Sequence, residues 1–489
     1  MKLKSKKSLI LPLVALLAAG VATGCGGSEK DDNKLRIVVL NAGYGDTWIK
    51  ELEKKFEANN PDIDVDVEAL YEANSLIKSH LESRNNKDDI YISVGTDWKS
   101  YAAQGYFASL DDLLEETVDG VTVKEKVADE YEGSLYFTKS DGSQHCYRLP
   151  WTSGIGGIYY NKHMFKTHGW DTYLKEKYET NTTGTPETFE QLLDLCEKIN
   201  SDRKPVSEEN RETAIKPFAY TGANTDYFDY TVFDWWAQIV GVDAIKDFLK
   251  YESYENYDVT KNETYAALKT ASSYWQQLFI NENGTGESKY VIEDSKAKTA
   301  ENAQKEFVNG YAAMMFNGDW LYNEIINYGI NTDTFELGLM KTPVVPEAKA
   351  EFANTSYVIG EDQYIVIPKT SKKKDVAKEF IKLMISNEGS SIFTKHANGF
   401  LAYDTDFSNA GIEDSFIQET IALRNSYTNK FTNYSSNRKY LCNFIDVWCT
   451  GGSRPYLGLL NGTSDLNKSF STISSLAKAN WGDWTNKSK

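Results

Sequence analysis

Apolar and polar positions follow one another along the chain in short blocks, and their periods predict strands and helices in alternation. Residues 35–40 form an apolar run that only Arg36 interrupts, which is typical of a buried strand. Trp48, Leu52 and Phe56 then recur four residues apart, as on the buried face of a helix, and the period returns to two over residues 63–67. This alternation predicts an α/β fold, with a parallel sheet covered on both faces and a ligand site at the carboxyl ends of its strands.

The same alternation resumes later in the chain and predicts a second unit. Thr185 and Pro186 mark the start of a helix, and residues 312–316 and 364–368 are predicted strands. Between the two units lies the segment 149–165, which combines a proline, three glycines and a short aromatic run. Since glycine permits close approach of backbone, we expect this segment to be a hinge beside a binding surface, with the glycines serving backbone packing.

The N-terminal residues predict export and anchoring. Residues 1–24 combine four lysines with an apolar core too short for a stop-transfer helix, which is typical of a signal peptide. Cys25 follows Ala22-Thr23-Gly24, and this sequence resembles a bacterial lipobox, in which the cysteine thiol receives a lipid. Residues 25–34 would then form a polar tether. A cleaved signal followed by an unrelated cysteine is the alternative.

Composition narrows the possible functions. The chain has 489 residues, enough for two or three domains, and its net charge of −18 argues against nucleic acid or anionic lipid as the bound partner. It has no phosphate-binding loop of standard form, no zinc signature and no Gly-x-Ser-x-Gly motif, so we predict no cofactor, no metal and no catalytic residue. The sequence leaves two questions open: whether two of the 71 acidic residues form a glycosidase pair, and whether Cys442 and Cys449 form a disulfide.

Aromatic rings beside turn residues supply the candidate binding chemistry. Sugars present apolar C–H faces and polar hydroxyl rims, so a sugar site combines flat rings with carboxylate and amide groups. The chain has 31 Tyr, 22 Phe and 11 Trp, and we expect half or more of the candidate tryptophans to lie in the core. The candidate ligand-binding residues are Asn41, Tyr44, Asp46, Asp97, Trp98, Trp151, Trp235, Trp236, Asp319, Trp320 and Trp448.

Four segments together carry a resemblance to a known family. They are residues 147–165, with the hinge proline, glycines and Tyr-Asn-Lys; residues 185–190; residues 307–320, which read F-x-x-G-x-A-A-M and then G-x-W; and residues 364–401. In order and spacing they resemble the extracellular solute-binding proteins of ATP-driven importers, in the carbohydrate-binding family that includes maltose-binding protein. The chain departs from the family pattern at residues 356–360 and at Phe400-Leu401, which leaves ligand size and closure geometry open.

The resemblance implies a two-lobed periplasmic-binding-protein-like fold of type II. Each lobe would be a mainly parallel sheet flanked by helices, and hinge crossovers would join the lobes. Lobe 1 would comprise residues 35–148 with 360–398, and lobe 2 residues 151–350 with 400–489.

The resemblance also implies roles for individual residues. Asp97 would accept hydrogen bonds from sugar hydroxyls, and Trp320 would stack on a sugar ring from the second lobe. Either Trp235 or Trp236 would add a second-lobe aromatic. Asn41 and Asp46 match a turn that faces the cleft, and Trp151 lies just past the first hinge strand.

The implied function is that of a monomeric receptor, lipid-anchored on the extracytoplasmic face of the cell membrane. It would close on a sugar or oligosaccharide by hinge motion and deliver it to membrane permease subunits served by a separate ATPase, breaking no bond. The alternatives are a receptor for a polyamine, metal complex or peptide, and a secreted carbohydrate-active enzyme. The identity of the sugar, its linkage and its length are left open.

Overall fold

The computed structural model describes residues 33–95, 98–209, 211–250, 252–284, 286–360, 362–432 and 455–487. Five residues that the sequence singles out lie outside these described residues: Cys25, Asp97, Cys442, Trp448 and Cys449.

The described residues form strands and helices in the predicted alternation. The strands are β1 (Lys34–Leu40), β2 (Asp64–Leu70), β3 (Ile90–Val94), β4 (Thr117–Val118), β5 (Val121–Thr122), β6 (Phe137–Thr138), β7 (Gln144–His145), β8 (Gly154–Asn161), β9 (Lys216–Ala219), β10 (Ala312–Gly318), β11 (Leu337–Met340), β12 (Thr355–Ile359), β13 (Gln363–Val366) and β14 (Asn429–Phe431). The helices are α1 (Thr47–Asn59), α2 (Ala73–Glu82), α3 (Trp98–Ala103), α4 (Asp111–Leu114), α5 (Val123–Lys126), α6 (Lys162–His168), α7 (Trp170–Lys177), α8 (Phe189–Asp202), α9 (Asp229–Val240), α10 (Val242–Phe248), α11 (Glu263–Phe279), α12 (Ala300–Val308), α13 (Leu321–Ile326), α14 (Lys374–Ile385), α15 (Asn387–Ala397), α16 (Ser415–Ser426), α17 (Pro455–Leu460) and α18 (Leu466–Lys487).

Lobe 1 is built on a four-stranded sheet in the order β13-β3-β1-β2. β1 runs parallel to β2 and β3, and β13 is antiparallel to β3. Ile37 and Val39 of β1 pack in one core cluster with Trp48 of α1, whereas Val38 packs in another with Ile77 of α2. Helices therefore cover both faces of the sheet, as the apolar run of β1 predicts.

Lobe 2 is built on a six-stranded sheet in the order β14-β12-β8-β10-β9, with β11 also paired to β8. β8 is antiparallel to β10, β11 and β12, whereas β9 is parallel to β10 and β14 is parallel to β12. Only β8 therefore opposes the common strand direction of this sheet. β8 continues directly from the chain crossing at residues 149–153, with no preceding helix to reverse the chain.

The glycines of β8 serve backbone packing, as the sequence predicts. A Cβ atom at Gly156 would lie 2.7 Å from Cβ of Tyr230 in α9. Only glycine admits the helix at this distance, so the Gly-rich start of β8 brings α9 close to the sheet.

Within the described residues the chain passes between the lobes at three places: residues 149–153, Gly360, and the loop between Tyr403 and α16. Gly360 has φ +146°, and a Cβ atom there would lie 2.0 Å from the carbonyl oxygen of Thr152, so two of the crossings pass in direct contact. Residues 401–403 pack in the core of lobe 1. The third crossing therefore lies later in the chain than the boundary at 398–400 drawn from the sequence.

Among the described residues, no helix combines the length and the apolar character that a membrane span requires.

Candidate functional site

The carboxyl ends of the lobe 1 strands meet along one edge, as the sequence predicts. Asn41 follows β1, Tyr71 follows β2 and Gly95 follows β3. The backbone N–H of Asn41 donates to the carbonyl of Leu70 at 2.9 Å, which holds the first two of these loops side by side. This edge faces the end of β10 and the start of α13 in lobe 2.

Lobe 2 contacts this edge directly at Gly43. The side-chain amide of Asn323 in α13 donates to the carbonyl oxygen of Gly43 at 2.7 Å. A Cβ atom at Gly43 would lie 2.7 Å from Cβ of Trp320 and 3.1 Å from Oε1 of Glu324. At this contact the backbone of Gly43 in lobe 1 packs against side chains of lobe 2, and no room is left for a further atom.

Trp320 is half-buried between the lobes. Its ring lies against Gly318, where a Cβ atom would stand 2.3 Å from two ring carbons. Tyr230 of lobe 2 and Tyr44 of lobe 1 meet it edge to face, with ring centroids 5.5 Å and 6.3 Å away. Trp320 packs against the core clusters of both lobes. Of the candidate tryptophans within the described residues, it is the one whose ring stays partly exposed.

Asp319, the neighbour of Trp320, is fully buried. Its Oδ1 accepts a hydrogen bond from the Tyr44 hydroxyl at 2.9 Å, and its Oδ2 accepts one from the backbone N–H of Ile155 at 3.2 Å. Burial raises the pKa of Asp319 to about 7, although the hydrogen bonds from Tyr44 and Ile155 act in the opposite direction. Both carboxylate oxygens have protein donors, so Asp319 ties the lobes together and presents no free acceptor to a ligand.

Tyr44 is buried in an aromatic cluster beside the hinge. Trp151 lies 6.0 Å from it and Phe393 lies 5.3 Å from it, between ring centroids, and Trp48 completes the cluster 5.9 Å from Trp151. Burial and the adjacent Asp319 raise the pKa of Tyr44, so its hydroxyl remains a donor. Trp151, expected to face ligand, is 2% exposed and is part of the lobe 1 core.

Trp98 begins α3 and is 1% exposed. The guanidinium carbon of Arg148 lies 4.8 Å from its ring centroid, a cation–π contact within the protein. The ring packs against the β3 face of the lobe 1 sheet with Tyr91 and Ala102. Contrary to the expectation that it faces ligand, Trp98 is buried within lobe 1.

Trp235 and Trp236 lie in the core of lobe 2. The indole N–H of Trp235 donates to the carbonyl of Pro343 at 3.0 Å, and that of Trp236 donates to the carbonyl of Thr264 at 2.7 Å. Trp235 is 0% exposed and Trp236 is 2% exposed, so a ligand cannot reach either ring. This is contrary to the expectation that the pair supplies an aromatic ligand contact. Every residue of α9 from Asp229 to Gln238 is buried, the polar ones included.

Asn41 and Asp46 flank the loop after β1, and both are half-buried. Asp46 directly precedes α1 and forms an ion pair with Lys50 at 2.5 Å. Asn74 in the first turn of α2 was not predicted; it is exposed, and its Oδ1 accepts a hydrogen bond from the Ser93 hydroxyl at 2.6 Å. Tyr71 was also not predicted, although it directly follows β2 as Asn41 follows β1. Both residues extend the polar and aromatic edge of lobe 1.

A buried ionic network holds the hinge. The guanidinium of Arg424 in α16 donates to the carbonyl and hydroxyl oxygens of Ser153 at 2.8 and 2.9 Å, and lies 3.3 Å from Oε1 of Glu130. The Ser153 hydroxyl donates to the same Glu130 oxygen at 3.0 Å. The network joins lobe 2, through Arg424, to the 3-10 helix Asp129–Ser134 of lobe 1 across the first crossing.

The described residues contain no cluster of three His, Cys, Asp or Glu side chains that could hold a metal ion.

The chain matches known proteins in sequence and in fold. The sequence model of a family described as bacterial extracellular solute-binding proteins matches residues 41–390. The chain is 24% identical over 382 residues to the multiple sugar-binding protein of Streptococcus mutans serotype c (strain ATCC 700610 / UA159), a match that covers 77% of this chain and 76% of that protein.

Solved structures give the same fold. The ABC substrate-binding protein Lmo0181 from Listeria monocytogenes, in complex with cycloalternan, has a TM-score of 0.61 and 17% identity, and the match covers 92% of this chain and 99% of that one. A chitin oligosaccharide binding protein has a TM-score of 0.61 and 18% identity, with 91% and 98% covered. The predicted two-lobed type II fold is confirmed by these neighbours.

Proposed function

Because the chain belongs to the bacterial extracellular solute-binding protein family, we propose that its cleft binds a sugar or oligosaccharide and delivers it to the permease subunits of an ATP-driven importer. As a member of this family it is a receptor and not an enzyme, and it works outside the cytoplasm. The curated relative that it resembles over most of its length is a sugar-binding protein, which supports the choice of ligand class.

The observation that carries this proposal is the half-exposed ring of Trp320. Gly318 supports the ring from one side, and tyrosines of both lobes hold its edges, so its position is fixed before ligand arrives. A rigid aromatic platform suits the apolar face of a pyranose, because stacking there costs little conformational entropy.

The contacts to the ligand are divided among a few residues in this proposal. Trp320 stacks on a sugar ring, while Asn41 and Asp97 supply polar contacts from lobe 1. Asp46 lies at the end of the loop that begins at Asn41. Asp319 supports the platform from behind.

Buried rings support the site without touching ligand. They pack at the hinge and within the cores of the two lobes. These supporting rings are Tyr44, Trp98, Trp151, Trp235 and Trp236.

Thermal unfolding with a panel of solutes tests the ligand class. A ligand that binds only the folded chain raises the melting temperature by mass action. We expect a rise with one or more mono- to tetrasaccharides of glucose, galactose, xylose or N-acetylglucosamine. A rise with polyamines, peptides or metal complexes, and with no sugar, would instead favour the non-sugar receptor.

Titration calorimetry on Trp320 variants tests the site itself. Trp320→Ala should raise the Kd for the sugar found above by about tenfold, which corresponds to about 1.4 kcal/mol. Trp320→Phe keeps a flat ring and should lose less. Since the ring also packs on both cores, affinity is measured well below the melting temperature of each variant. An unchanged Kd for Trp320→Ala would remove this residue from the site.

We also propose that Cys25 carries the lipid anchor and that the chain acts as a monomer. The tether of residues 25–34 supports the anchor, since it would leave the lobes free above a membrane surface. Detergent phase separation tests it: the wild type should enter the detergent phase and Cys25→Ser the aqueous phase. Equal partition of both would contradict the anchor.

A further inference from the structure

Asp319 is a carboxyl group buried where the two lobes meet. It follows β10 of lobe 2, and none of its surface is exposed. Part of its cover comes from lobe 1, because the Tyr44 hydroxyl reaches its Oδ1 at 2.9 Å and the Asn398 amide donates to its backbone carbonyl at 3.2 Å. Separation of the lobes removes both of these groups and admits water. The surroundings of Asp319 therefore differ between closed and open lobes.

The hydrogen bonds around this carboxyl group fit its protonated form as well as its ionised form. On one side the backbone N–H of Ile155 donates to Oδ2 at 3.2 Å. On the other side the Tyr44 hydroxyl can donate or accept. Thr152 is a second hydrogen-bond partner of that hydroxyl, and the Thr152 hydroxyl donates in turn to Oε1 of Gln363. A proton on Oδ1 can therefore be donated to Tyr44, which then donates to Thr152, and each of these groups keeps a partner.

The charge of ionised Asp319 is poorly compensated in this position. The titratable groups that face it are Tyr44 from the loop after β1, Tyr159 from β8 and Arg424 from α16. Burial raises the pKa of both tyrosines, so neither is charged near neutral pH. The guanidinium of Arg424 is already bonded to Ser153 and Glu130. Burial therefore outweighs the attraction of Arg424 and raises the pKa of Asp319 to about 7, whereas the pKa of an aspartate in water is about 3.9.

We propose that Asp319 takes up a proton when the lobes close on a solute and releases it when they open, so that closure is favoured at acidic pH. From about pH 4 to about pH 7 the closed form holds a proton that the open form has lost. Raising the pH through this window removes the advantage of the closed form, so binding weakens. The effect depends on closure around a solute but not on that solute being a sugar.

Asp234 of α9 is a second buried acid, and it differs from Asp319 in what covers it. It is also fully buried, and burial raises its pKa to about 7. Its partners are the Thr342 hydroxyl and the backbone N–H of Tyr357, both of lobe 2. These groups move together with Asp234 when the lobes separate, so its protonation stays the same on closure. Asp234→Asn is therefore the matched control for Asp319→Asn.

Titration calorimetry counts the protons. The solute is the one that raises the melting temperature in the thermal panel, and each titration is run in two buffers of different ionisation enthalpy. The wild type should take up about one proton at about pH 5.5 and about 0.1 at about pH 8, and its Kd should rise about 30-fold between them. Protons bound by the solute itself are common to all variants and cancel in the difference.

The variants assign the proton to one carboxyl group. Asp319→Asn has an amide that can donate to Tyr44 as the neutral acid does, so it should take up no proton and keep a nearly constant Kd. Asp234→Asn should behave as the wild type. Equal proton uptake by the wild type and Asp319→Asn would refute the proposal. The same loss of uptake in Asp234→Asn would also refute it, because burial alone would then account for the proton.

The outcomes separate proton uptake from the proposed ligand class. A non-sugar solute that binds with the expected uptake overturns sugar binding and supports proton uptake by Asp319, whereas a sugar that binds with no uptake does the reverse. If no solute of the panel binds, small-angle X-ray scattering of the ligand-free chain decides. The radius of gyration of the wild type should be larger at about pH 8 than at about pH 5.5, and that of Asp319→Asn should be equal at both. Equal radii in the wild type would refute the proposal.

Discussion

Closure of the two lobes depends on the absence of a side chain at Gly43. The loop after β1 meets α13 here, and an alanine Cβ would lie 2.7 Å and 2.9 Å from Cβ and Cγ of Trp320 and 3.1 Å from Oε1 of Glu324. Carbon atoms in contact stand about 3.5–4.0 Å apart. Gly43→Ala should therefore push α13 away from lobe 1. The backbone of Gly43 lies outside the left-handed region, so alanine is not strained there for any other reason.

The size of the effect follows from the cost of overpacking. One added methyl group in a packed contact costs about 1–3 kcal/mol. This cost applies where the lobes touch and is relieved when they separate, so it shifts the population towards open lobes by roughly 5- to 150-fold. A ligand that bridges both lobes loses the same factor in affinity, although the variant removes none of its contacts.

Calorimetry and small-angle X-ray scattering measure this effect. Gly43→Ala should raise the Kd for a bound sugar by roughly 5- to 150-fold and increase the radius of gyration of the ligand-free chain. Gly133→Ala is the matched control, since a Cβ atom there has nothing within 4 Å and the residue also belongs to lobe 1. A Kd and a radius of gyration equal to those of the wild type would refute the reasoning that close contact at Gly43 is part of the binding-competent state.

Two further predictions concern buried charge. Arg424→Met should lower the free energy of unfolding by about 3–5 kcal/mol, because it leaves Glu130 buried without its cation. Urea denaturation measures this loss, and adding Glu130→Gln to the same chain should recover part of it. A loss below about 1 kcal/mol would contradict the prediction. Burial raises the pKa of Asp319 to about 7, above the value of about 3.9 in unfolded chains. Between these two pH values the folded chain holds a proton on Asp319 that the unfolded chain has lost. The contribution of Asp319 to stability therefore falls as pH rises from about 4 to about 7. Asp234 shifts in the same direction, so the test is the difference between the wild type and Asp319→Asn. The melting temperature of the variant should fall less across that window, and identical pH profiles would contradict the assignment.

The fold could be predicted from the sequence because its signals are local. The apolar run of residues 35–40, which only Arg36 interrupts, indicates a strand buried on both faces. The four-residue spacing of Trp48, Leu52 and Phe56 indicates a helix with one buried face. The antiparallel direction of β8 has no local signal in the sequence. It depends on where the first crossing between the lobes places the start of the strand, which is a tertiary property.

The candidate site was harder to predict because local pattern does not report burial. Trp235 and Trp320 each stand beside an aspartate, yet the first is wholly buried and the second half-exposed. What differs is the element: Trp235 lies within a helix buried on every side, whereas Trp320 lies in the turn that follows the end of strand β10. Tyr71 follows a strand in the same way. Position at a strand end was thus the stronger signal, and the neighbouring acid the weaker one.

Asp319 and Trp320 are adjacent in the chain, yet only the ring of Trp320 stays partly exposed. Both residues lie in the turn after β10, outside the strand itself. At β10 the acid turns inward to Tyr44 and Ile155, and the ring remains at the surface. After β3, Trp98 is likewise buried, in the core of lobe 1. The residue of this region proposed to meet the ligand is therefore Asp97, so that in the proposal lobe 1 supplies the carboxylate and lobe 2 the ring.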